Sequence, residues 1–251
     1  MVDSQPGLSY LESSERPRLA YRLRTGADPT LIFLPGYASD MDGTKALALD
    51  ALAARHGRAM LRFDYSGTGA SGGQFEDGTL AGWLDQALVM VDQLTDGPVI
   101  LVGSSMGGWI ALHAAVRRPE RVAALVGIAA APDFTDWGYT AEQKTQLLSK
   151  GRLELPNPYG DEPHVTTAAF WKSGEALRLL DQPIAVECPV RLIHGDLDAE
   201  VPVDVALRLM RQLRSADVQL NILKGGGHRL SEPHEIDAIV RTVAALVEPL
   251  P

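Results

Sequence analysis

Four apolar residues, Val99-Ile100-Leu101-Val102, pass directly into Gly103-Ser104-Ser105-Met106-Gly107, and this junction restricts the possible folds more than any other stretch. The run is too short for a helix and rich in β-branching, so it reads as a buried strand. The five residues after it form G-x-S-x-G, a turn from strand into helix sharp enough to strain the backbone of the serine. The flanking glycines remove side chains that would collide where strand and helix converge. Ser105 is thereby left exposed above a sheet.

The chain around this junction alternates short apolar runs with helical patterns. Residues 8–11 and 19–23 read as a hairpin around the turn-like Glu12-Ser13-Ser14-Glu15-Arg16-Pro17. Residues 30–34 form an apolar strand ending in Pro35-Gly36-Tyr37, where the glycine lets the backbone bend toward the serine. Ala and Leu at helical spacing predict a helix over 44–55, stopped at Gly57, and a strand follows over 59–63. The glycine-rich residues 64–72 carry neither a Lys-Ser/Thr pair nor a G-x-G-x-x-G frame, so they read as a tight structural loop, not a phosphate cradle. Leu80, Trp83, Leu84, Ala87, Leu88, Val91 and Leu94 recur three and four apart, the stripe of a helix lying on a sheet, which makes Trp83 core. A helix over 106–117 follows the serine, then a strand over 122–128; strands over 189–194 and 218–223 and helices over 203–213 and 235–247 complete the chain. This order predicts an α/β fold, mostly parallel strands joined by right-handed crossovers, with reactive groups at the carboxyl ends of the strands.

Between residues 132 and 183 the rhythm breaks. No strand is evident, Pro156, Pro158 and Pro163 interrupt the segment, and amphipathic helices are expected over 141–150 and 166–180. The segment reads as a cap or lid inserted into a single domain spanning 1–251. Its aromatics Trp137, Tyr139, Tyr159, Phe170 and Trp171 are candidates to line an acyl pocket, the alternative for each being packing against the body. Lys144, Arg152, Lys172 and Arg178 read as solvated surface before any grip on a substrate carboxylate.

A chain of 251 residues, 45% apolar and 22% charged, can bury a substantial core in one domain. A net charge of -9 with no long basic run argues against a nucleic-acid partner. The first 24 residues lack the apolar core of a secretory signal, and the longest apolar run, 122–131, is about half a membrane span. A soluble, intracellular protein acting on a small-molecule or acylated substrate is the expectation. Cys188, the single cysteine, excludes an internal disulfide and, just before Pro189, reads as a small apolar side chain at a strand entrance.

A serine hydroxyl is a poor nucleophile at neutral pH; it needs a base, and the base needs a carboxylate to fix its tautomer and stabilise its cation. His228, in Lys224-Gly225-Gly226-Gly227-His228 after the last expected strand, can carry an imidazole over the sheet edge to Ser105. His56, His113, His164 and His234 read instead as exposed or simply hydrogen-bonded. The carboxylate is expected after the strand over 189–194, where Asp196 and Asp198 both stand, and their chemistry alone does not separate them. The backbone amides of Tyr37 and of Met106, at a helix start, are candidates to hold an oxyanion. His228 and His234 lack the i, i+4 spacing and the third ligand of a metal site, so no metal or other cofactor is expected.

Five stretches taken together, Phe33-Leu34-Pro35-Gly36-Tyr37, Asp42-Gly43-Thr44-Lys45-Ala46-Leu47-Ala48, Arg62-Phe63-Asp64-Tyr65-Ser66-Gly67, Leu101 to Trp109, and Gly227-His228-Arg229, resemble a known family. The resemblance is to the α/β-hydrolase superfamily, and within it to the abhydrolase domain-containing protein ten group of palmitoyl-protein thioesterases and acyl-glucuronide esterases. The order serine, acid, histidine agrees with that fold. The resemblance implies Ser105 as nucleophile, His228 as base and, by the His-Gly-x-x-Asp-x-x-Val-Pro frame, Asp198 rather than Asp196 as acid. It also implies cleavage of S-acyl cysteine or of acyl-glucuronides. Residues 132–183 are unlike the cap of that group. Its eukaryotic members carry a mitochondrial targeting extension that is not seen here, and Arg outnumbers Lys as in GC-rich bacteria, so a cytoplasmic enzyme is expected.

A serine esterase or thioesterase working through an acyl-serine intermediate is the leading reading. An acyltransferase would share that intermediate and deliver the acyl group to an acceptor other than water. A receptor of the same fold would use the pocket to sense a small molecule, with slow or single turnover.

Overall fold

The computed structural model describes residues 5–156 and 163–247. In chain order the elements are β1 (Ser9–Leu11), β2 (Leu19–Arg24), β3 (Ala27–Leu34), α1 (Thr44–Arg55), β4 (Arg58–Phe63), α2 (Leu80–Leu94), β5 (Val99–Ser104), α3 (Met106–Arg117) and β6 (Val122–Ile128). Then come α4 (Phe134–Trp137), α5 (Ala141–Lys150), β7 (Arg152–Leu155), β8 (His164–Thr167), α6 (Ala168–Glu175), β9 (Val190–Gly195), α7 (Val203–Gln212), β10 (Val218–Leu223) and α8 (Pro233–Val247). Among the described residues, eight strands form one sheet in the order β1-β2-β4-β3-β5-β6-β9-β10. β1 and β2, the expected hairpin, pair antiparallel, and β2 joins β4 antiparallel as well. From β4 across to β10 the six strands run parallel.

Parallel strands covered on both faces must be apolar along their whole length, and β5 shows the consequence residue by residue. Val99 and Leu101 point into the core shared with α2, α3 and α7, while Ile100 and Val102 point into the opposite core under α1 and α8. Trp83 is 1% exposed, as its place in the α2 stripe predicts. Residues 64–72 are indeed a structural loop, tied by Asp64, whose buried carboxylate accepts from the amides of Met41 and Ala70 at 2.7 and 2.8 Å. Burial pushes that carboxyl above the usual range, against the pull of these two amides. Beside it, the buried Arg62 donates to the Met41 carbonyl and the Asp42 carboxylate, so the loop leading into α1 is held from below.

The segment from 132 to 183 departs from expectation in its strands and in the bounds of its second helix. It contains two strands, β7 and β8, paired antiparallel as a small separate sheet. Each has four residues, and only the burial of Leu153 between exposed Arg152 and Glu154 marks the alternation, too short a signal against the surrounding prolines. The second helix begins at Ala168 instead of Thr166, because Thr167 caps it by accepting from the Phe170 amide, and it stops at Glu175. The segment is anchored at its neck by Asp133, in the left-handed region at φ 59°, whose carboxylate accepts from the amides of Leu179 and Leu180, each at 2.8 Å. Pro158 and Tyr159 lie outside the described residues.

Candidate active site

β5 hands over to α3 at Ser105, which sits at φ 53° and ψ -119°. A non-glycine residue there stores on the order of 1–3 kcal/mol of strain, and the surrounding backbone holds it in place. The Ser105 amide donates to the Ile128 carbonyl of β6, and its carbonyl accepts from Gly108 and Ala131. Two glycines make the turn possible through close approach. A Cβ on Gly103 would lie 2.3 Å from the Gly107 carbonyl oxygen, and one on Gly107 would lie 2.0 Å from the carbonyl oxygen of Leu34. Gly107→Ala is therefore expected to destabilise the fold by about 3 kcal/mol or more, since only backbone stands in the way. Urea unfolding would measure this, and a loss below about 1 kcal/mol would contradict the packing described.

Around Ser105 the structure brings together groups far apart in the chain. His228 Nε2 lies 3.1 Å from Ser105 Oγ, and His228 Nδ1 donates to Asp198 Oδ2 at 2.9 Å. Asp198 follows β9 and is almost fully buried; its other oxygen accepts from the amides of Glu200 and Val201 at 2.9 and 2.8 Å. Burial raises its carboxyl, but the His228 bond and these amides outweigh burial and leave it below the usual aspartate value. Asp196 points elsewhere, accepting from the Gly225 amide at 2.5 Å. His194, the first residue of the His-Gly-x-x-Asp-x-x-Val-Pro frame but given no role by it, is buried behind Asp198: its Nε2 is 2.8 Å from the Val201 carbonyl and 3.4 Å from Asp198 Oδ2. Glu200 lies in the same Asp-x-x-Val-Pro frame, where its spacing gave it no role, with Oε2 3.7 Å from His228 Nε2.

Met106 opens α3, so its amide has no carbonyl four residues back to bond with and lies at the positive end of the helix dipole. Gly36, just before Tyr37, runs so close to Ser105 that a Cβ on it would be 3.3 Å from Ser105 Cβ. Ser105 and His228 open onto a cavity of about 1210 Å³, lined on its apolar side by Tyr37, Phe75, Phe134, Trp137, Tyr139 and Val165. Trp137 and Tyr139 thus reach the cavity. Phe170 and Trp171 do not: Phe170 is 1% exposed and packs on Tyr37, Trp83 and Phe134, while the Trp171 indole donates to the Thr135 carbonyl.

His164 is on the cavity wall, His113 bonds the Leu177 carbonyl, and His56 and His234 are exposed. Lys144 and Arg178 pair with Asp136, and Arg152 with Glu76 and Glu154. Lys45, on the first turn of α1, has no sequence signal that ties it to the site. It lines the cavity and donates to the Arg229 carbonyl at 2.5 Å, bracing the loop that carries His228; burial, then the Arg229 charge, brings its ammonium down to about 8. Burial pushes the Cys188 thiol up to about 11, away from the reactive thiolate.

The fold and this grouping define an α/β hydrolase, and similarity to known proteins agrees. Residues 29–158 match the alpha/beta hydrolase fold family, and the chain belongs to that family; it is a hydrolase. More particularly, it is 41% identical over 247 residues to the Homo sapiens protein named palmitoyl-protein thioesterase ABHD10, mitochondrial, covering 97% of this chain and 81% of that one. The structure of alpha/beta hydrolase domain-containing protein 10 from mouse is 40% identical with a TM-score of 0.90, covering 96% of this chain and 98% of its own. A crystal structure from Agrobacterium vitis S4 is also 40% identical, with a TM-score of 0.91 and coverage of 96% and 99%. These relatives overturn the expectation of a cytoplasmic location: the Homo sapiens, Pongo abelii and Mus musculus proteins that align over 97% of this chain are named as mitochondrial. No helix among the described residues is long and apolar enough to cross a membrane.

Proposed function

We propose that this hydrolase cleaves thioesters and esters of long acyl chains, with Ser105 as nucleophile, His228 as general base and acid, and Asp198 as the carboxylate that orients His228. The observation that carries this reading is the unbroken line of hydrogen bonds from Asp198 through His228 to Ser105 Oγ at the wall of the cavity. In the first half-reaction Ser105 Oγ attacks the acyl carbonyl carbon as its proton passes to His228 Nε2. The oxyanion is held by the amides of Met106 and Tyr37, whose worth is greatest where water is excluded. Collapse breaks the bond to the thiol or alcohol, which leaves with the proton from His228. In the second half, His228 takes a proton from water, the hydroxide attacks the acyl-serine, and the carboxylic acid departs as Ser105 recovers its proton.

The substrate class is supported by the relatives named as palmitoyl-protein thioesterases and by the aromatic lining of the cavity, whose volume of about 1210 Å³ exceeds the roughly 300–1,000 Å³ of ordinary ligand pockets. Residues 132–183 act as the cap of a single domain, since Phe134, Trp137, Tyr139 and Val165 supply much of the apolar wall. Steady-state hydrolysis of matched thioesters and oxygen esters, from four to sixteen carbons in the acyl chain, tests the assignment. Long-chain thioesters are expected to show the highest kcat/KM, and a preference confined to short activated esters would remove the long-chain assignment while leaving the serine chemistry in place.

A further inference from the structure

Tyr37 has its two ends in different parts of the site. Its backbone follows Gly36 past the nucleophile, and its hydroxyl donates to the Val165 carbonyl of β8 at 2.6 Å. Between these ends the ring is held by Phe75 and Trp83 from the body, at centroid distances of 5.0 and 5.9 Å. From the 132–183 segment it is held by Phe134 and Phe170, at 6.1 and 4.8 Å. Ala38, the next residue, sits at φ 53°, a left-handed conformation that an alanine keeps only where its neighbours are fixed.

Phenylalanine would fill the same aromatic nest, so packing alone does not call for the hydroxyl. The half-buried phenol finds its acceptor in main chain of the strand that walls the cavity. Burial raises the phenol well above its usual value, so the group remains a donor across the working pH range. A second tie, Tyr139 hydroxyl to Thr166 Oγ1 at 2.9 Å, joins the adjacent β8 residue to the loop after α4.

We propose that Tyr37 is a positioning residue: its hydroxyl couples β8, a wall of the acyl cavity, to the backbone amide of the same residue that faces the developing oxyanion. An acyl chain packed along β8 then sets the amide that stabilises its own transition state. This coupling rests on the serine-hydrolase reading. It makes a specific demand on Tyr37→Phe, which keeps the ring and the amide and removes only the tie. Loosening the amide lowers kcat for every substrate, and loosening the wall raises KM only for chains long enough to touch it.

The test measures kcat and KM for four-carbon and sixteen-carbon thioesters on wild type, Tyr37→Phe and Ser105→Ala, with enzyme concentration set by fluorophosphonate titration of the first two. Tyr37→Phe is expected to lose roughly 10-fold in kcat on both substrates, the size of one hydrogen bond. Its ratio of kcat/KM for sixteen over four carbons should also fall about 5-fold, and amides 164–167 should exchange hydrogen about 5-fold faster. A merely structural role would reduce active enzyme without moving the chain-length ratio. Unchanged kcat and ratio in Tyr37→Phe, with Ser105→Ala inactive, would overturn the coupling alone; activity remaining in Ser105→Ala would overturn the reading beneath it.

Discussion

Ser105→Ala is expected to lower kcat by roughly 10⁴-fold or more on any thioester or ester the enzyme turns over, with the fold intact. The change removes one oxygen atom, the one 3.1 Å from His228 Nε2, and leaves the rest of the elbow in place. Alanine tolerates φ 53° no better and no worse than serine, and the glycine contacts that shape the turn do not involve the hydroxyl. The residual rate then reports what the oxyanion amides and binding supply without a nucleophile. Thermal unfolding should shift by no more than about 2 °C, which separates lost chemistry from lost protein. A residual kcat within about 10-fold of wild type would mean that water is activated directly and that no acyl-enzyme is needed.

The second large effect separates two aspartates that stand two positions apart. Asp198→Asn is expected to cost roughly 10³-fold or more in kcat, and Asp196→Asn less than about 5-fold. An asparagine at 198 can turn its NH₂ toward His228 Nδ1, which forces the proton onto Nε2, where it can no longer accept from Ser105. At 196 the side chain accepts from the Gly225 amide, and an asparagine carbonyl still accepts there. The pair also differs in acid stability. Because the folded value of Asp198 lies below the unfolded one, its contribution is fully present above the unfolded value of about 3.9. It is lost as pH falls through the lower folded value. Asp198→Asn removes this component, so its unfolding free energy should change less with pH below about 4 than that of wild type, as urea titrations would measure. A severe Asp196 effect beside a mild Asp198 one would reverse the assignment of the acid.

Much of this architecture is legible in the sequence because it rests on local rules. α1, α3, α5 and β6 begin and end where apolar spacing and the glycines and prolines beside them place their bounds, and the G-x-S-x-G junction places the strained serine. The features that stay hidden depend on direction in space. Asp196 and Asp198 both follow β9, and their chemistry alone does not say which turns to His228; the family resemblance implies Asp198, and the fold turns Asp196 to Gly225 and Asp198 to His228. Phe170 and Trp171 are neighbours on a short helix, so which side faces the cavity depends on how α6 docks; both turn away from it. Phe75 and Phe134 line the cavity from a 3-10 turn over Phe75–Asp77 and from the single turn of α4, where no periodicity marks a face. β7 and β8 are stabilised by pairing with each other, a contact that four-residue runs do not announce.

A covalent acyl-Ser105 intermediate lies at the centre of the proposed chemistry, and the most direct test is to catch it. The enzyme would be mixed with a long-chain thioester, quenched in acid during steady-state turnover, and digested for peptide mass mapping. The expected result is a mass increase equal to the acyl group less one hydrogen on the peptide that carries Ser105. An acyl group found on Cys188 or another residue, or turnover with no acylated peptide at any quench time, would contradict it.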